Sequence, residues 1–139
     1  MKKTKKPESK AEVSPKAAPP YQNQVTLVGY LGDDPKLHEG RAMLSLATKS
    51  SWKPKDSDQW QEKTEWHRVI AWGKLAEAVK PLAKGDHVLV EGELRSYQYD
   101  KEVDVVASGK AVVQVKTWEI RASLVRKLVR KDKPEQAET

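Results

Sequence analysis

The sequence predicts an all-β fold, a barrel of five strands that carries one short helix. Two observations favour this class. Segments rich in apolar and β-branched residues recur between turn-forming residues, and a single helical segment falls between the third and the fourth of them. Their separations are irregular, so the chain contains no internal repeat. One compact β-domain therefore accounts for most of the 139 residues.

The first half of the predicted domain consists of three strands. VTLVGYL (25–31) is apolar and β-branched, and GDDP (32–35) turns the chain after it. RAMLSLATKS (41–50) alternates between apolar and polar residues, which is typical of a strand with one buried face. WKPKDSDQWQEK (52–63) has the charge and turn residues of a loop, and TEWHRVIAW (64–72) is the third strand.

A short helix follows within GKLAEAVKPLAKGD (73–86). Leu75, Ala78 and Val79 are spaced to form its apolar stripe. Pro81 disfavours continuation of the helix, because proline lacks the amide hydrogen that an interior helical position needs.

Two further strands complete the predicted frame, HVLVEGELRSYQY (87–99) and TWEIRASLVRKL (117–128). Between them, VDVVASGKAVVQV (103–115) reads as an additional hairpin around Ser108-Gly109, and the sequence does not decide whether it projects from the domain or packs within it. Three strands, a helix and two strands are the order of an oligonucleotide/oligosaccharide-binding barrel, the OB-fold. An SH3-like barrel is the structural competitor, but it does not need a helix at this place.

The positive charge of the chain lies at its two ends. The net charge is +6, yet residues 21–125 hold equal numbers of basic and acidic side chains, whereas residues 1–20 hold six lysines and two glutamates. We expect residues 1–20 to form a disordered basic tail, residues 21–130 to fold, and residues 131–139 to form a short disordered tail. Basic tails are typical of proteins that approach polyanions such as nucleic acids, although they also serve only to keep proteins soluble.

Several protein classes are disfavoured by composition. The chain has no cysteine, which excludes disulfides and thiolate metal sites. MKKTKK is not followed by an apolar run, and no segment approaches the length of a membrane span, so we expect a cytoplasmic protein without membrane contact. His38, His67 and His87 lack the spacing of a metal or catalytic motif, so we expect no enzymatic activity, catalytic residue, metal or cofactor.

The third predicted strand separates its residues into two different faces. Glu65, His67, Val69 and Ala71 share one face, and Trp66, Arg68, Ile70 and Trp72 share the other. Because small apolar residues such as those at 69 and 71 suit a barrel interior, the tryptophan face is predicted to point outward. There, flat indoles can stack on nucleic-acid bases, and the guanidinium of Arg68 can stack or pair with phosphate.

More aromatic residues stand near this strand in the predicted barrel. Trp52 ends the second strand, Trp60 lies among charges in the loop, and Tyr97 and Tyr99 share a face near the end of the fourth strand. We interpret Trp52, Trp66 and Trp72 as binding residues rather than core residues, partly because the chain contains no phenylalanine. Trp118 in the last strand is interpreted instead as a packing residue.

Four segments carry a resemblance to a known family. NQVTLVGYLGDDP, LATKSSW, TEWHRVIAWGKLAE and LAKGDHVLVEGELR resemble the bacterial single-stranded DNA-binding proteins, SSB, over about residues 23–99. TWEIRASLVRKL is similar to the same family more weakly. The resemblance implies an OB-fold that assembles as a homotetramer, wraps single-stranded DNA in replication, recombination and repair, and is associated with the nucleoid.

The resemblance also implies roles for individual residues. The family's stacking positions fall on Trp52, Trp66, Trp72 and Tyr99, and Tyr97 and Trp60 are further stacking candidates. His67 and Leu89 are expected at a subunit interface. The candidate phosphate contacts are Arg68, Lys49, Lys53, Lys55, Lys74 and Arg95.

The chain departs from the family pattern at both ends. KDKPEQAET lacks the acidic, Phe-terminated tip through which typical members recruit replication and repair enzymes, and the N-terminal basic extension is an addition. We therefore expect a specialised or element-borne paralogue for which recruitment by the usual route is in doubt. The functional alternative is an OB-fold that binds RNA, or a primosome-type module that binds proteins; such a module would not need the stacking aromatics.

Overall fold

Six strands and one helix make up the described part of the chain. The structure is a computed structural model that describes residues 15 and 17–129. The strands and the helix are β1 (Val25–Leu31), β2 (Lys36–His38), β3 (Arg41–Trp52), β4 (Gln61–Trp72), α1 (Gly73–Ala78), β5 (His87–Val105) and β6 (Gly109–Lys127). Within the predicted tails, residues 1–14, 16 and 131–139 lie outside the described residues.

Five of the strands close into a barrel. The sheet runs in the order β1-β5-β6-β4-β3-β2, and an additional β1–β3 pairing joins Tyr30 to Ala47 and Leu31 to Leu46. A Cβ at Gly29 would overlap the carbonyl oxygen of Ala47, so glycine is needed where β1 closes on β3. The β4–β6 pairing is parallel and the others are antiparallel. The predicted five-stranded barrel is confirmed.

The barrel interior is aliphatic. Alternate residues of the strands point into it, and α1 adds Ala76 while the residue after its end, Val79, is also buried. The core cluster comprises Leu31, Ala42, Leu44, Leu46, Val69, Ala71, Ala76, Val79, Val88, Val90 and Ile120. None of the aromatic residues belongs to this cluster.

The helix begins at the predicted place, and two of its three predicted apolar residues, Leu75 and Val79, pack against the core. Ala76 is buried and Leu75 is half-buried, whereas Ala78 is exposed. The prediction that Ala78 faces the core is therefore wrong. The helix is only six residues long, and Ala76 is its one buried residue.

The predicted separate hairpin at 103–115 is part of the two long strands instead. β5 and β6 pair continuously from Val88 opposite Lys127 to Val105 opposite Gly109, with a register shift between Glu91 and Gly92. The charged residues 100–102 suggested a break, but a strand exposed to solvent tolerates them. The turn does fall at the predicted place, and Gly109 supplies a φ of +90° there. The extended hairpin projects beyond the barrel rather than packing within it.

Strand lengths differ from the prediction elsewhere as well. β3 and β4 pair up to Trp52 opposite Gln61, so the loop that was predicted for residues 52–63 is shorter. The short strand β2, which pairs with β3, was not predicted. Among the described residues, no helix is long and apolar enough to cross a membrane.

Candidate nucleic-acid interface

One outward surface of the barrel continues onto the projecting hairpin. Cross-strand partners share a face, and Ile70 of β4 pairs with Met43 of β3 and with Arg121 of β6. Glu93 of β5 lies opposite Arg121. We define the outward face by the alternation of residues along each strand. It comprises the odd-numbered residues of Arg41–Ser51 in β3, of Glu93–Val105 in β5 and of Gly109–Arg121 in β6, and the even-numbered residues of Glu62–Trp72 in β4.

Trp66 is the most exposed aromatic residue of the outward face, with 61% of its surface accessible. Its benzo ring lies against Gly32, in the turn that follows β1, where an added Cβ would overlap Cζ3 and come within 2.8 Å of Cη2. Gly32 is itself held by a hydrogen bond from its amide to the carbonyl of Ser45, 2.9 Å long. The indole can therefore keep this position only while residue 32 has no side chain.

Trp72 ends β4 on the same face and remains partly exposed. Arg41 lies directly opposite it on β3, and the guanidinium carbon is 5.7 Å from the indole ring centroid. This distance is within the range of a cation–π contact. Sequence reasoning missed this pair, because the two residues are separated by the whole β3–β4 hairpin.

Tyr97 and Tyr99 extend the aromatic surface onto the hairpin. Their ring centroids are 6.1 Å apart and both rings are exposed. The pairing of β1 with β5 ends at Gly92, so the two tyrosines stand beyond the closed barrel. The structure thus brings four of the predicted stacking residues, Trp66, Trp72, Tyr97 and Tyr99, to one outward face.

The other two predicted stacking residues lie at the end of the β3–β4 hairpin. Trp52 pairs with Gln61, and Trp60 immediately precedes that residue. Both indoles are exposed. Lys49 and Ser51 lie on the outward face of β3, and the next residue, Trp52, points to the opposite face. Trp52 therefore lies on the other side of the hairpin from Trp66. A strand that contacts both tryptophans must cross the hairpin edge.

The predicted phosphate contacts fall into two groups. Three of them are ion-paired: Arg68 Nε with Glu119 Oε1 at 3.3 Å, Arg95 Nε with Glu93 Oε1 at 2.9 Å, and Lys49 Nζ with Glu62 Oε1 at 3.7 Å. Lys53, Lys55 and Lys74 are exposed and form no ion pair with another described residue. Arg121 also stands on the outward face, a basic residue that sequence reasoning missed.

The predicted interface residues His67 and Leu89 lie on opposite sides of the barrel wall. His67 is half-buried on the inward side, with Nε2 2.9 Å from Thr48 Oγ1. Leu89 is half-buried on the outer side of β5, opposite the exposed Val28 of β1. Their role in subunit contact stays a prediction.

Trp118 corrects the sequence interpretation. It is half exposed rather than packed in the core, and Lys116 Nζ lies 4.8 Å from its ring centroid. It stands opposite Ser96, on the side of the hairpin away from the outward face. Trp118 has the inward parity of β6, but the barrel has already opened at this height and does not cover the indole.

Among the described residues, no group of three or more His, Asp and Glu could hold a metal ion.

Comparison with known proteins agrees with the observed architecture. A family model described as the single-strand binding protein family matches residues 22–123. Among solved structures, Plasmodium falciparum SSB in complex with ssDNA superposes with a TM-score of 0.62 at 22% sequence identity, covering 81% of this chain and all of that one. At this identity the structural match shows the fold, which is the OB-fold, while the family model spans most of the sequence. The chain belongs to the single-strand binding protein family.

Proposed function

We propose that this protein captures single-stranded DNA without regard to sequence, by stacking bases on the aromatic side chains of the outward face. Membership of the family places the protein among single-stranded DNA-binding proteins. The proposal adds the mechanism: Trp66, Trp72, Tyr97 and Tyr99 receive bases, and basic side chains follow the phosphate backbone. Trp52 and Trp60 extend the path around the β3–β4 hairpin.

The observation that carries this mechanism is the composition of the outward face. Four exposed aromatic side chains share it with an excess of positive charge. Its basic residues are Arg41, Lys49, Arg68, Arg95, Lys101 and Arg121, and its acidic residues are Glu62, Glu93 and Glu119. Stacking accepts any base, since every base has a π-face, and phosphate contacts are equally independent of sequence. Duplex DNA hides its base faces, so it offers this surface only its backbone.

The cellular role follows from this mechanism. A protein that covers exposed bases protects single strands during replication, recombination and repair, and it would associate with the nucleoid. We propose in addition that it acts as a homotetramer, which the resemblance implies and which lengthens the binding path. The mass of the protein in solution, measured by light scattering, tests this assembly.

Removing two of the indoles tests the mechanism. The variant Trp66→Ala/Trp72→Ala is expected to lose about 2–6 kcal/mol of oligo(dT) binding free energy, because each base stack contributes about 1–3 kcal/mol. Trp118→Ala is the matched control, since it removes an exposed indole from the other side of the hairpin. The mechanism is wrong if the double variant binds oligo(dT) as tightly as the control does.

A further inference from the structure

A groove of about 550 Å³ adjoins Trp66 on the outside of the barrel, at the point where β1 closes on β3. Tyr30 of β1 and Trp66 of β4 both line it, and Ala47 of β3 lies between them. Tyr30 pairs with Ala47, and Ala47 pairs in turn with Trp66. The three side chains therefore form one row across three neighbouring strands.

The groove has room for a flat ring beside Tyr30 and Trp66. Neighbouring strands are about 4.8 Å apart, so the backbones that carry Tyr30 and Trp66 are separated by about 10 Å. A planar group in contact on both sides needs about 7 Å between the two walls. Ala47 contributes only a methyl group to the floor, and the groove of about 550 Å³ keeps open space beside the two rings.

The ring of Tyr30 is held in place from behind. His87 of β5 stacks on it with 4.4 Å between the ring centroids and an interplanar angle of 11°. Tyr30 nevertheless keeps 54% of its surface exposed. A large aromatic side chain that is exposed on one side and supported on the other is preorganised for a planar ligand, because binding then costs little side-chain entropy.

We propose that this groove is an additional base-binding site, in which one base of the single strand lies between Tyr30 and Trp66. The inference rests on the proposed function and extends the aromatic path from β4 across β3 to β1. Lys49 and Thr64 line the same groove, so a cation and a hydroxyl are available to the sugar–phosphate backbone beside the base. Continuity with the outward face through Trp66 favours nucleic acid as the occupant over a second copy of the chain.

The experiment compares Tyr30→Ala with two control variants on two ligands. The ligands are oligo(dT) and a strand of the same length that lacks bases. Tyr30→Ala is expected to bind oligo(dT) about tenfold more weakly, within the range for the loss of one base stack, and to bind the abasic strand as the wild type does. Tyr30→Phe keeps the ring and should retain wild-type affinity. Tyr21→Ala removes a tyrosine that is 91% exposed outside the barrel and should also change nothing.

A second variant tests the groove without removing the tyrosine. Ala47→Leu adds bulk to the floor between the two rings, so it should lower oligo(dT) affinity to a similar degree and leave abasic binding unchanged. Light scattering on every variant follows the mass of the assembly. An unchanged mass with a loss of affinity that is specific for bases supports the proposal.

Three results would overturn the inference. They are wild-type oligo(dT) affinity in Tyr30→Ala and Ala47→Leu, an equal loss of affinity for the abasic strand, and a loss of affinity that accompanies a change in assembly mass. The last result would assign the groove to the interface between copies of the chain. Failure of the proposed function is distinguishable, because the wild type itself would then not bind oligo(dT), or Trp66→Ala/Trp72→Ala would bind it normally.

Discussion

Trp66 lies at the centre of the outward face, between the turn after β1 and the neighbouring strands. Its position depends on two small residues, Gly32 under its benzo ring and Ala47 beside it on β3. Neither residue introduces backbone strain, because neither has a positive φ. The indole thus lies against a residue without side-chain atoms and beside the small methyl group of residue 47.

Gly32→Ala should displace the indole while leaving the barrel folded. The added Cβ would overlap Cζ3 of Trp66, and the exposed indole can move outward, whereas the backbone at residue 32 is held to Ser45. We expect oligo(dT) binding to weaken by about 1–3 kcal/mol, the contribution of one stack, in a fluorescence titration.

The control for this substitution is the Trp66→Ala background. There, Gly32→Ala has no indole to displace and should cost nothing further. An equal decrease in affinity in both backgrounds would mean that residue 32 affects binding by a route other than Trp66.

The sequence predicted which face of its strand a residue occupies better than it predicted which residues of other strands lie beside it. Alternation correctly placed Trp66 and Trp72 outward and Val69 inward, but Ile70 is fully buried although it shares the outward parity. Tyr30 was missed, because its place beside Trp66 depends on barrel closure between distant segments. The pairing of Arg68 with Glu119, 51 positions away, was hidden for the same reason.

The base of the β5–β6 hairpin is held from both edges at neighbouring positions. On the β5 edge, the side-chain amide of Asn23 donates to the carbonyl of Leu94, and the amide of Leu94 donates to Asn23 Oδ1, both at 2.9 Å. On the β6 edge, Arg68 pairs with Glu119, which lies opposite Arg95. The pairing of β1 with β5 ends at Gly92, so the side chain of Asn23 makes the two hydrogen bonds to Leu94 that the backbone of a longer β1 would make.

Asn23→Ala should loosen this base. Removal of two hydrogen bonds is expected to lower the free energy of unfolding by about 1–3 kcal/mol and to speed amide hydrogen exchange at Leu94. Gln22→Ala is the matched control, since the side chain of that neighbour bonds only to Gln24, at 3.4 Å, among the described residues. Unchanged exchange at Leu94 in the Asn23 variant would show that the ladder of β5 and β6 holds the base without it.

Element order was predictable because apolar alternation and turn residues are local signals. The lengths of the elements were less predictable. The charged residues 100–102 resemble the end of a strand, although they stand in a continuous ladder of β5 and β6. Ala78 was misplaced for a related reason, because a helix of six residues has too few turns to establish its apolar face from periodicity.

Over the whole molecule, the charge complements the proposed ligand in two places. The outward face of the barrel carries more basic than acidic residues, and the sequence adds six lysines within residues 1–20. Each phosphate that a basic side chain neutralises releases counterions, which makes binding weaker as salt rises.

Deletion of residues 1–20 should therefore weaken binding and flatten its salt dependence. The slope of the logarithm of the binding constant against that of the salt concentration should shrink by about 0.7 for each phosphate that the shortened protein no longer neutralises. Deletion of residues 131–139 is the control, because that segment holds two basic and three acidic residues. If both truncated proteins keep the full-length slope, the N-terminal lysines do not bind the strand.

Intrinsic tryptophan fluorescence tests the central claim most directly, since the indoles themselves are the proposed binding surface. The full chain is titrated with oligo(dT), with oligo(U) and with a duplex, each at two salt concentrations. Strong quenching by oligo(dT), with much weaker responses to the other two, is the predicted result. No quenching, or the same response to all three ligands, would contradict base stacking on these tryptophans and would favour a protein-binding role for the barrel.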